Sequence, residues 1–477
     1  MNLSRLIERW AQHAPDRVAV QFEGSDVSYA ALWGEIERAT RGLAGLGIAQ
    51  GDRIAYLGYN HPRLLVLLFA ASRLGALLVP LNWRLTSHEL RAVLTDCSPK
   101  ALFLEPDFAS TAAELPVEQK LRIDEVMPEA EPELGGHDDQ EVLIVYTSGT
   151  TGAAKGAVLT QSALLWNGFN SIHAHDLRQD DHVLSPFPLF HVGGLNNQTL
   201  PALLAGAKVT LHRRFEPGSW LRDTAARKPT LSLLVPAAMR AVIAHPDWSK
   251  TDLSSLRLLM TGSMVVPDSL IHAFHARQIP VGQIYGATET APIATVLMAQ
   301  DAFGKTGSAG KPALHCEVRI VDSEAQVRGP NVLARYWNDP QATKAAFTPD
   351  GWFRTGDLGR WDEDGFLWIE GRSKDLIISG GENIHPAELE NVLADCPDIA
   401  ESAVIGIEDA KWGEAACAVV VRSSGSSITE AGVLSLFTDK LARYKHPRRV
   451  VFVDSLPKNA LGKVLKVEVR KQVLREA

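Results

Sequence analysis

The chain has 477 residues, of which 45% are hydrophobic and 22% are charged, and its formal net charge is −8. A chain of this length can bury a large core without disulfides or a structural metal, and its composition excludes wholesale disorder. Its four cysteines are scattered and form no CxxC pair, which argues against a zinc ribbon or a disulfide framework and favours a reducing compartment.

The N-terminus alternates charged and apolar residues, which is unlike a signal peptide. The longest uncharged apolar run, residues 64–72, is far shorter than the roughly 20 residues that span a bilayer. We therefore expect a cytoplasmic protein with no integral membrane segment.

The excess of acidic over basic residues comes from one segment. Residues 124–141 contain eight acidic residues and neither Lys nor Arg, whereas residues 440–475 contain eleven basic residues and two acidic ones. Because aromatic residues are sparse in the basic segment, we expect no nucleic-acid binding. The net charge by itself predicts no partner.

Apolar, β-branched runs alternate with amphipathic stretches along the chain, which favours an α/β fold with parallel strands and crossover helices. The first strand-like run begins at Arg53, an apolar helix begins at His61-Pro62, and the next strand begins at Ala76. The later strand-like runs are KALFL, EVLIVY, HVLSPF, KVTLH, TLSLLV, LRLLMTG and GQIYG.

The pattern changes near residue 370, where a Gly- and charge-rich stretch leads into a helix that begins at Pro386. The residues beyond it repeat the α/β pattern on a smaller scale. We therefore predict an N-terminal domain of residues 1–371 and a C-terminal domain of residues 372–477.

The most specific motif is YTSGTTGAAKG, residues 146–156, which directly follows the strand-like run EVLIVY. Its glycines let backbone N–H groups turn toward an anion, its hydroxyls add donors and its lysine adds a positive charge, so it is predicted to bind phosphates. It differs from the GxxxxGK[ST] loop of common NTPases. A flexible surface loop is the alternative interpretation.

This motif resembles the phosphate loop of the adenylate-forming superfamily, which comprises acyl-CoA synthetases, luciferases and the adenylation domains of peptide synthetases. Further motifs follow in the order expected of that superfamily, and the resemblance, closest to fatty acyl- and aryl-CoA ligases, spans nearly the whole chain. These motifs are FPLFH (187–191), YGATE (285–289), GWFRTGD (351–357), GRSKDLIISGGE (371–382) and PKNALGK (457–463).

The resemblance implies a large N-terminal body of layered α/β subdomains, with mixed or parallel sheets and a small β-barrel-like part, and a smaller mobile α+β C-terminal domain. It also implies a two-step reaction with ATP, Mg²⁺ and coenzyme A. A carboxylate attacks the α-phosphate of MgATP to give an acyl-adenylate and pyrophosphate, and the thiol of CoA then displaces AMP.

The resemblance assigns the nucleotide site residue by residue. Tyr285, beside Gly286, is implied to stack on adenine, while Asp357 and Arg372 are implied to contact the ribose. Glu289 and Thr150 are implied to bind Mg²⁺, and Thr288 a phosphate. The implied phosphate-loop contacts are Thr147, Ser148, Gly149, Thr150, Thr151 and Lys155.

The resemblance also assigns roles to the C-terminal domain. Lys463 is implied to bridge the carboxylate and the α-phosphate, Lys374 to be the hinge, and Gly380 and Gly381 to line the pantetheine tunnel. Whether the basic tail contacts the phosphates of CoA or only balances the acidic segment stays open. Its residues include Lys440, Arg443, Lys445, Arg448 and Arg449.

His191 matches the gate between the acid pocket and the thiol tunnel. The stretch 186–207 contains no Lys, Arg, Asp or Glu, so a pocket that it walls would suit an acid with an apolar tail, such as a medium- or long-chain fatty acid or an aryl acid, better than a dicarboxylate. The other predicted pocket residues are Gly194, Gly262, Ser263, Met264 and Ala287.

Two other functions stay open: a stand-alone adenylation enzyme that loads an acyl carrier protein, and a non-catalytic acyl- or nucleotide-binding homologue. We expect a monomer or a homodimer. The pairs His173/His175 and His272/His275 lack companion ligands and are interpreted as surface helix residues. Between residues 321 and 327 the chain is shorter than is usual in the superfamily.

Overall fold

In the computed structural model, β-sheets with helices packed between and around them form the fold. The structure describes residues 2–148, 154–263, 266–379, 382–409, 412–438, 440–459 and 462–475. The elements up to residue 262 are α1 (Arg5–His13), β1 (Val18–Phe22), β2 (Ser25–Ser28), α2 (Tyr29–Gly45), β3 (Arg53–Leu57), α3 (Pro62–Leu74), β4 (Leu77–Pro80), α4 (Ser87–Cys97), β5 (Ala101–Leu104), α5 (Ala109–Ala113), β6 (Gln119–Arg122), β7 (Glu141–Ser148), β8 (Ala154–Thr160), α6 (Gln161–His175), β9 (His182–Ser185), α7 (Val192–Gly194), α8 (Leu200–Ala205), β10 (Lys208–Leu211), α9 (Pro217–Arg227), β11 (Leu231–Leu233), α10 (Pro236–Ile243) and β12 (Leu258–Gly262).

The remaining elements run from the second half of the large domain to the C-terminus. They are α11 (Asp268–His275), β13 (Val281–Tyr285), β14 (Thr295–Leu297), β15 (Lys311–Pro312), β16 (Glu317–Val321), β17 (Glu324–Arg328), β18 (Arg335–Tyr336), α12 (Pro340–Ala346), β19 (Phe353–Trp361), β20 (Leu367–Arg372), β21 (Ile377–Ser379), β22 (Glu382–Ile384), α13 (Pro386–Ala394), β23 (Ile399–Asp409), β24 (Gly413–Arg422), α14 (Glu430–Ser435), β25 (Arg449–Phe452) and α15 (Lys466–Arg475).

Two large sheets dominate the N-terminal body. Sheet A has the order β15-β14-β13-β12-β11-β9-β10-β1-β2, and sheet B has the order β18-β8-β7-β4-β3-β5-β6. In sheet A the strands from β13 to β1 are parallel to one another, and in sheet B so are those from β7 to β6. Parallel neighbours need crossover connections, which the intervening helices supply. The predicted layered α/β body is confirmed.

Helix α3 lies in the main core and is apolar on nearly every side, with ten of its thirteen residues buried. Its first residue is Pro62, and Gly75 ends it in the left-handed region at φ 74°. A helix without a polar face must be covered all round. The core around α3 accordingly contains side chains of both large sheets, such as Val20 of sheet A and Leu78 of sheet B.

A third sheet, C, is antiparallel with the order β16-β17-β19-β20, and it follows the α/β layers. This sheet is the small all-β part, and its strand order has two ends, so it is open rather than closed into a barrel. The short segment after residue 321 forms a two-residue turn. Asp322 and Ser323 have φ angles of 49° and 65°, which fit the type I′ turn that joins β16 to β17.

The C-terminal domain is built on sheet D, with the order β22-β21-β24-β23 and β25 pairing with β24. Alternate residues of β24 point to opposite faces: Val420 packs with Leu389 of α13, whereas Val419 packs with Val469 of α15. Both faces are therefore covered by helices, and the prediction of a smaller α+β domain at the C-terminus is confirmed.

One expectation about histidines is wrong. His175 is buried, and its Nδ1 lies 2.9 Å from the Ser171 hydroxyl, whereas His173 and His272 are exposed as expected. The α6 helix is covered on the side that carries His175 because its C-terminal turn packs into the body. In the part of the chain that the structure describes, helices long and apolar enough to cross a membrane are absent.

Candidate active site

The predicted phosphate loop is the connection of the β7–β8 hairpin. These two antiparallel strands pair from Glu141 and Thr160 to Ser148 and Ala154, with a register shift between Glu141 and Leu143, so the motif begins and ends on paired strands. The Thr147 hydroxyl donates to the carbonyl oxygen of Lys155 across the hairpin at 3.4 Å. Gly149, Thr150, Thr151 and the side chain of Ser148 lie outside the described residues.

The turn after β13 carries Thr288 and Glu289. Gly286 has φ 155°, and a Cβ added to it would lie 1.8 Å from the carbonyl oxygen of Pro292, so only glycine fits there. The backbone N–H of Ala287 donates to the Thr290 hydroxyl at 2.9 Å and closes the short helical turn. Thr288 is buried in this turn, while Glu289 is partly exposed.

Glu289 and Lys155 meet around Tyr336, which the sequence analysis did not single out. The Tyr336 hydroxyl donates to Glu289 Oε1 at 2.7 Å, and Lys155 Nζ lies 5.5 Å from the centre of the Tyr336 ring. Burial, and secondly the Glu289 carboxylate, raise the pKa of Tyr336, so the phenol stays protonated and acts as the donor. Two predicted phosphate-site residues are thus brought together.

The segment that carries Tyr336 is attached to the hairpin on both sides. Arg335 makes two contacts with the Glu141 carboxylate, at 2.7 and 2.8 Å, and Tyr336 pairs with Ala157 of β8. The backbone N–H of Trp337 donates to the carbonyl of Gly156 at 2.7 Å. This short edge strand therefore fixes the distance between the β7–β8 hairpin and Glu289.

Asp357 is buried and engages two other predicted nucleotide residues. The Tyr285 hydroxyl donates to Asp357 Oδ2 at 2.8 Å, and Arg372 Nε lies 2.6 Å from Oδ1. Burial raises the pKa of Asp357, and the Arg372 guanidinium opposes that shift. Tyr285 ends β13 of sheet A, whereas Asp357 and Arg372 pair across β19 and β20 of sheet C, so the site joins the two sheets.

Two buried polar side chains near Tyr285 were missed from the sequence. Thr261 and Gln283 are register partners across β12 and β13, and their Oγ1 and Nε2 atoms have no partner within the described ranges. Gln283 lies two residues before Tyr285 and so shares its face of the sheet. Buried polar atoms normally have partners, so these two are available to a ligand.

Lys463 reaches this site from the C-terminal domain. The residue is exposed, and the surrounding protein desolvates its ammonium and lowers its pKa. Arg372 lowers this pKa further, whereas Asp357 raises it; Lys374 and Asp375 act more weakly. Lys463 is therefore close enough to Asp357 and Arg372 for both charges to act on its pKa, and Lys374 lies in the short helical turn that directly follows Arg372.

His191 caps the short helix α7, where its Nδ1 accepts a hydrogen bond of 3.0 Å from the backbone N–H of Gly193. Burial, with a smaller contribution from Arg84, lowers the pKa of His191 to about 4. The imidazole is therefore neutral near pH 7. It lies 6.2 Å from the Phe187 ring, in an apolar setting.

Two of the remaining predicted pocket residues are glycines in tightly packed positions. A Cβ on Gly194 would lie 2.2 Å from the carbonyl oxygen of Pro188, and one on Gly262 would lie 2.4 Å from that of Ile284. Ser263 occupies the left-handed region with φ 70°. Met264, Gly380 and Gly381 lie outside the described residues.

The uncharged wall 186–207 is not wholly apolar. It contains a π-helical segment, Leu195–Thr199, directly after α7. Asn196 is fully buried, and neither polar atom of its side chain has a partner within the ranges that the structure describes; the same holds for Oδ1 of Asn197. This wall can therefore supply hydrogen bonds to a neutral polar group.

The residues present fit a Mg²⁺ ion that is held together with a nucleotide. Mg²⁺ is usually bound by one or two carboxylates, by substrate phosphates and by water, so Glu289 beside the phosphate loop supplies a suitable ligand. Within the described ranges, clusters of three or more His, Cys, Asp or Glu side chains are absent. An all-protein metal cage is therefore not part of the described site.

Sequence comparison matches two family descriptions to the chain. Residues 7–337 match "AMP-binding enzyme", and residues 388–463 match "AMP-binding enzyme C-terminal domain". The first covers more than half of the chain, and the second contains Lys463.

Named relatives and a solved structure cover almost the full length. An indoleacetate–CoA ligase of Aromatoleum aromaticum is 47% identical over 507 residues, which cover 100% of this chain and 99% of that protein. A feruloyl-CoA synthase of an Amycolatopsis species is 41% identical, with 97% of each protein covered. The o-succinylbenzoate CoA synthetase (MenE) of Bacillus subtilis, solved in complex with its acyl-adenylate intermediate OSB-AMP, is 32% identical, with a TM-score of 0.90 and coverage of 98% of this chain and 97% of that one.

Proposed function

The chain belongs to the AMP-binding enzyme family, and from this premise we propose that it is an AMP-forming acid–CoA ligase. In the first half-reaction a carboxylate oxygen attacks the α-phosphorus of ATP, and the bond to pyrophosphate breaks. In the second, the thiol of CoA gives up its proton and attacks the acyl carbon, and AMP leaves. The products are acyl-CoA, AMP and pyrophosphate.

The observation that carries this proposal is the buried cluster in which Asp357 contacts both Tyr285 and Arg372. This cluster would hold the adenosine, and Lys463 of the C-terminal domain is near enough to Asp357 and Arg372 for both charges to act on its pKa. A carboxylate that attacks the α-phosphate brings two negative groups together, and a lysine held at that point stabilises the charge that develops. A loosely solvated lysine could not do so as effectively.

Each part of the nucleotide has a candidate partner in the chain. Asp357 would exchange its Tyr285 hydrogen bond for the ribose hydroxyls, while the unpartnered atoms of Thr261 and Gln283 would meet polar edges of adenine. Lys155 would bind the outer phosphates. Glu289, and Thr150 as the resemblance implies, would hold Mg²⁺, which neutralises phosphate charge when bound.

The acid is proposed to be a monocarboxylic acid with an aryl group. The uncharged wall 186–207, with neutral His191 beside Phe187, itself supplies no charged partner for a second carboxylate. Two of the proteins named above are an indoleacetate–CoA ligase and a feruloyl-CoA synthase, which supports an aryl acid over a fatty acid. The free polar atoms of Asn196 and Asn197 suit an aryl group that carries an N–H or O–H.

The domain boundary at residues 371–372 and the hinge at Lys374 stay proposals. The first family match ends at residue 337, and the second begins at residue 388. Strand β20 ends between them, at Arg372. Rotation about this point would remove Lys463 from the site after the first half-reaction and bring residues 380 and 381 to the thiol.

A cytoplasmic location is proposed because the four cysteines are buried and unpaired. A monomer or a homodimer is proposed as the oligomeric state.

The test is a panel of aryl, fatty and dicarboxylic acids incubated with ATP and CoA, with AMP release and acyl-CoA measured together. We expect the highest kcat/KM for an aryl monocarboxylate. An optimum for a dicarboxylate would contradict the argument from the uncharged wall. A phosphopantetheinyl carrier protein that outcompetes CoA would favour carrier loading, and absence of pyrophosphate exchange with every acid would favour a non-catalytic homologue.

A further inference from the structure

We propose that Asp96, near the end of α4, is a positioning residue that fixes the contact of the nucleotide site with the outer phosphates. Its carboxylate holds Tyr146, and its carbonyl oxygen holds Trp337. Tyr146 lies in β7 and Trp337 directly follows β18, and these are the two strands that flank β8 and its Lys155. The inference rests on the proposed function, since it presumes that Lys155 binds the outer phosphates of ATP.

The Asp96 carboxylate accepts two side-chain hydrogen bonds. The Tyr146 hydroxyl donates to Oδ2 at 2.5 Å, and the Asn338 amide donates to Oδ1 at 3.3 Å. Burial first, and then the neighbouring Cys97 and Asp96, raise the pKa of Tyr146, so the phenol stays protonated and is the donor. A hydroxyl that donates to a carboxylate makes a charge-assisted bond, which is stronger than a bond between neutral groups.

The backbone carbonyl of Asp96 accepts two further hydrogen bonds from the segment that follows β18. The indole N–H of Trp337 donates to it at 3.2 Å, and the Asn338 amide donates to it at 3.0 Å. Asn338 has φ 51°, a left-handed conformation that asparagine tolerates better than most residues. Asp96 therefore contacts both segments through groups that are suited to these positions.

Tyr146 and Trp337 meet at Gly156, the last residue of the phosphate motif. Tyr146 and Gly156 are register partners across the β7–β8 hairpin, and the Trp337 N–H donates to the Gly156 carbonyl at 2.7 Å. A Cβ on Gly156 would lie 3.1 Å from Cζ of Tyr146 and 3.2 Å from Cβ of Trp337, so both side chains pack closely on this backbone. Because Lys155 directly precedes Gly156, the backbone that carries its ammonium is fixed by the same contacts.

Arg53 joins the end of α4 to Trp337 a second time. It donates to the carbonyl oxygens of Cys97 and Ser98, at 2.7 and 2.9 Å. Its guanidinium carbon lies 5.2 Å from the centre of the Trp337 ring, and that of Arg335 lies 4.8 Å from the same centre. The end of α4 and the segment after β18 are therefore held together as one unit beside the hairpin.

The place of Asp96 within α4 indicates a role outside the helix. Asp96 is the last but one residue of α4, and a carboxylate in the last turn of a helix is unfavourable because the terminal carbonyls carry partial negative charge. A residue that opposes the local preference is expected where a tertiary contact or a function requires it. Glu89 stands at the favourable end of the same helix, where it forms a capping box with Thr86, and it provides the control.

The test compares the affinities of Asp96→Ala and Glu89→Ala for ATP, pyrophosphate and AMP, measured by calorimetry. Without Asp96, Lys155 should occupy its binding position for a smaller fraction of the time, and a fraction of about one tenth lowers the affinity for ATP and pyrophosphate about tenfold. AMP lacks the outer phosphates, so its affinity should not change. Glu89→Ala loses the cap at the opposite end of α4, so its Tm should fall while all three affinities stay at wild-type values.

Two milder variants test the carboxylate contact alone. Asp96→Asn keeps an acceptor for the Tyr146 hydroxyl, so its affinity for ATP should stay within about threefold of the wild type. Tyr146→Phe removes only the hydroxyl and should weaken the binding of ATP and pyrophosphate but not of AMP. This variant keeps the inference testable if Asp96→Ala does not fold.

Equal losses of affinity for ATP and AMP in Asp96→Ala and Tyr146→Phe, or wild-type affinity for ATP in both, would overturn the inference. A loss of ATP affinity in Glu89→Ala as large as that in Asp96→Ala would also overturn it, because both substitutions would then act through the stability of α4. A wild-type protein that binds neither ATP nor AMP would overturn the proposed function itself.

Discussion

The Tyr336 hydroxyl donates a 2.7 Å hydrogen bond to Oε1 of Glu289, while Lys155 of the phosphate loop lies over the same tyrosine ring. The contact holds the carboxylate at a fixed distance from the β7–β8 hairpin. Tyr336 therefore acts as a positioning residue, because it orients the proposed Mg²⁺ ligand through one hydrogen bond and contacts the phosphate-loop lysine through its ring.

Replacing Tyr336 with Phe keeps the ring under Lys155 and removes only this hydrogen bond. We expect the affinity for ATP in the presence of Mg²⁺, measured by calorimetry, to fall about tenfold, which corresponds to one hydrogen bond to a charged group. Affinity for ATP in EDTA should stay the same. If both affinities fell equally, the hydroxyl would have a general structural role.

Replacing Asp357 with Asn should weaken nucleotide binding. The variant loses the charge that pairs with Arg372 and keeps only a neutral group for the ribose hydroxyls, so the KM for ATP should rise about 10- to 100-fold. The KM for ATP is obtained from the rate of pyrophosphate exchange, measured as a function of ATP concentration. Asp350→Asn is the matched control, because Asp350 is 57% exposed and pairs with Arg319 away from the site. Equal KM values in the two variants would contradict the ribose assignment.

The buried His175 should make stability depend on pH. Burial lowers its pKa from the usual 6.5 to about 4, so the folded state binds fewer protons than the unfolded state between these values. Its contribution to the free energy of unfolding is complete above about pH 6.5 and is lost as the pH falls toward 4.

The variant His175→Gln can retain a hydrogen bond to Ser171 and cannot titrate, so its Tm should fall less steeply than that of the wild type between pH 6.5 and pH 4. His173→Gln, an exposed change on the same helix, should leave the wild-type slope unchanged. Identical slopes in all three proteins would show that His175 does not contribute to the acid sensitivity.

Much of the fold and of the site could be predicted from the sequence because the signals were local. Strand β7 follows from an apolar run, and Tyr285, Asp357 and Glu289 stand in motifs that resemble those of a known superfamily. The alternation of strands and helices indicated the parallel sheets A and B, and the change near residue 370 indicated a second domain.

The residues that were missed depend on contacts distant in sequence. Tyr336 meets Glu289 across 47 positions, and Thr261 meets Gln283 only through the pairing of β12 with β13. His175 was interpreted as exposed because a helix pattern does not reveal which tertiary layer covers the helix end. Such contacts follow from the packing of sheets A and B and leave no periodic signal.

Lys463 is proposed to act in the adenylation half-reaction and to leave the site before thioester formation. Lys463→Ala should slow acyl-adenylate formation, measured by pyrophosphate exchange, by at least about a hundredfold, since one preorganised donor typically contributes that much. Thioester formation from supplied acyl-adenylate and CoA should proceed at the wild-type rate.

The control is Lys458→Ala, five residues earlier. The Lys458 side chain pairs with Glu401 at 2.5 Å, so we expect this substitution to leave both half-reactions unchanged. Both half-reactions are measured in the wild type, Lys463→Ala and Lys458→Ala. We predict that only Lys463→Ala loses activity, and only in adenylation. Equal loss of both half-reactions in Lys463→Ala, or no loss of either, would contradict the account.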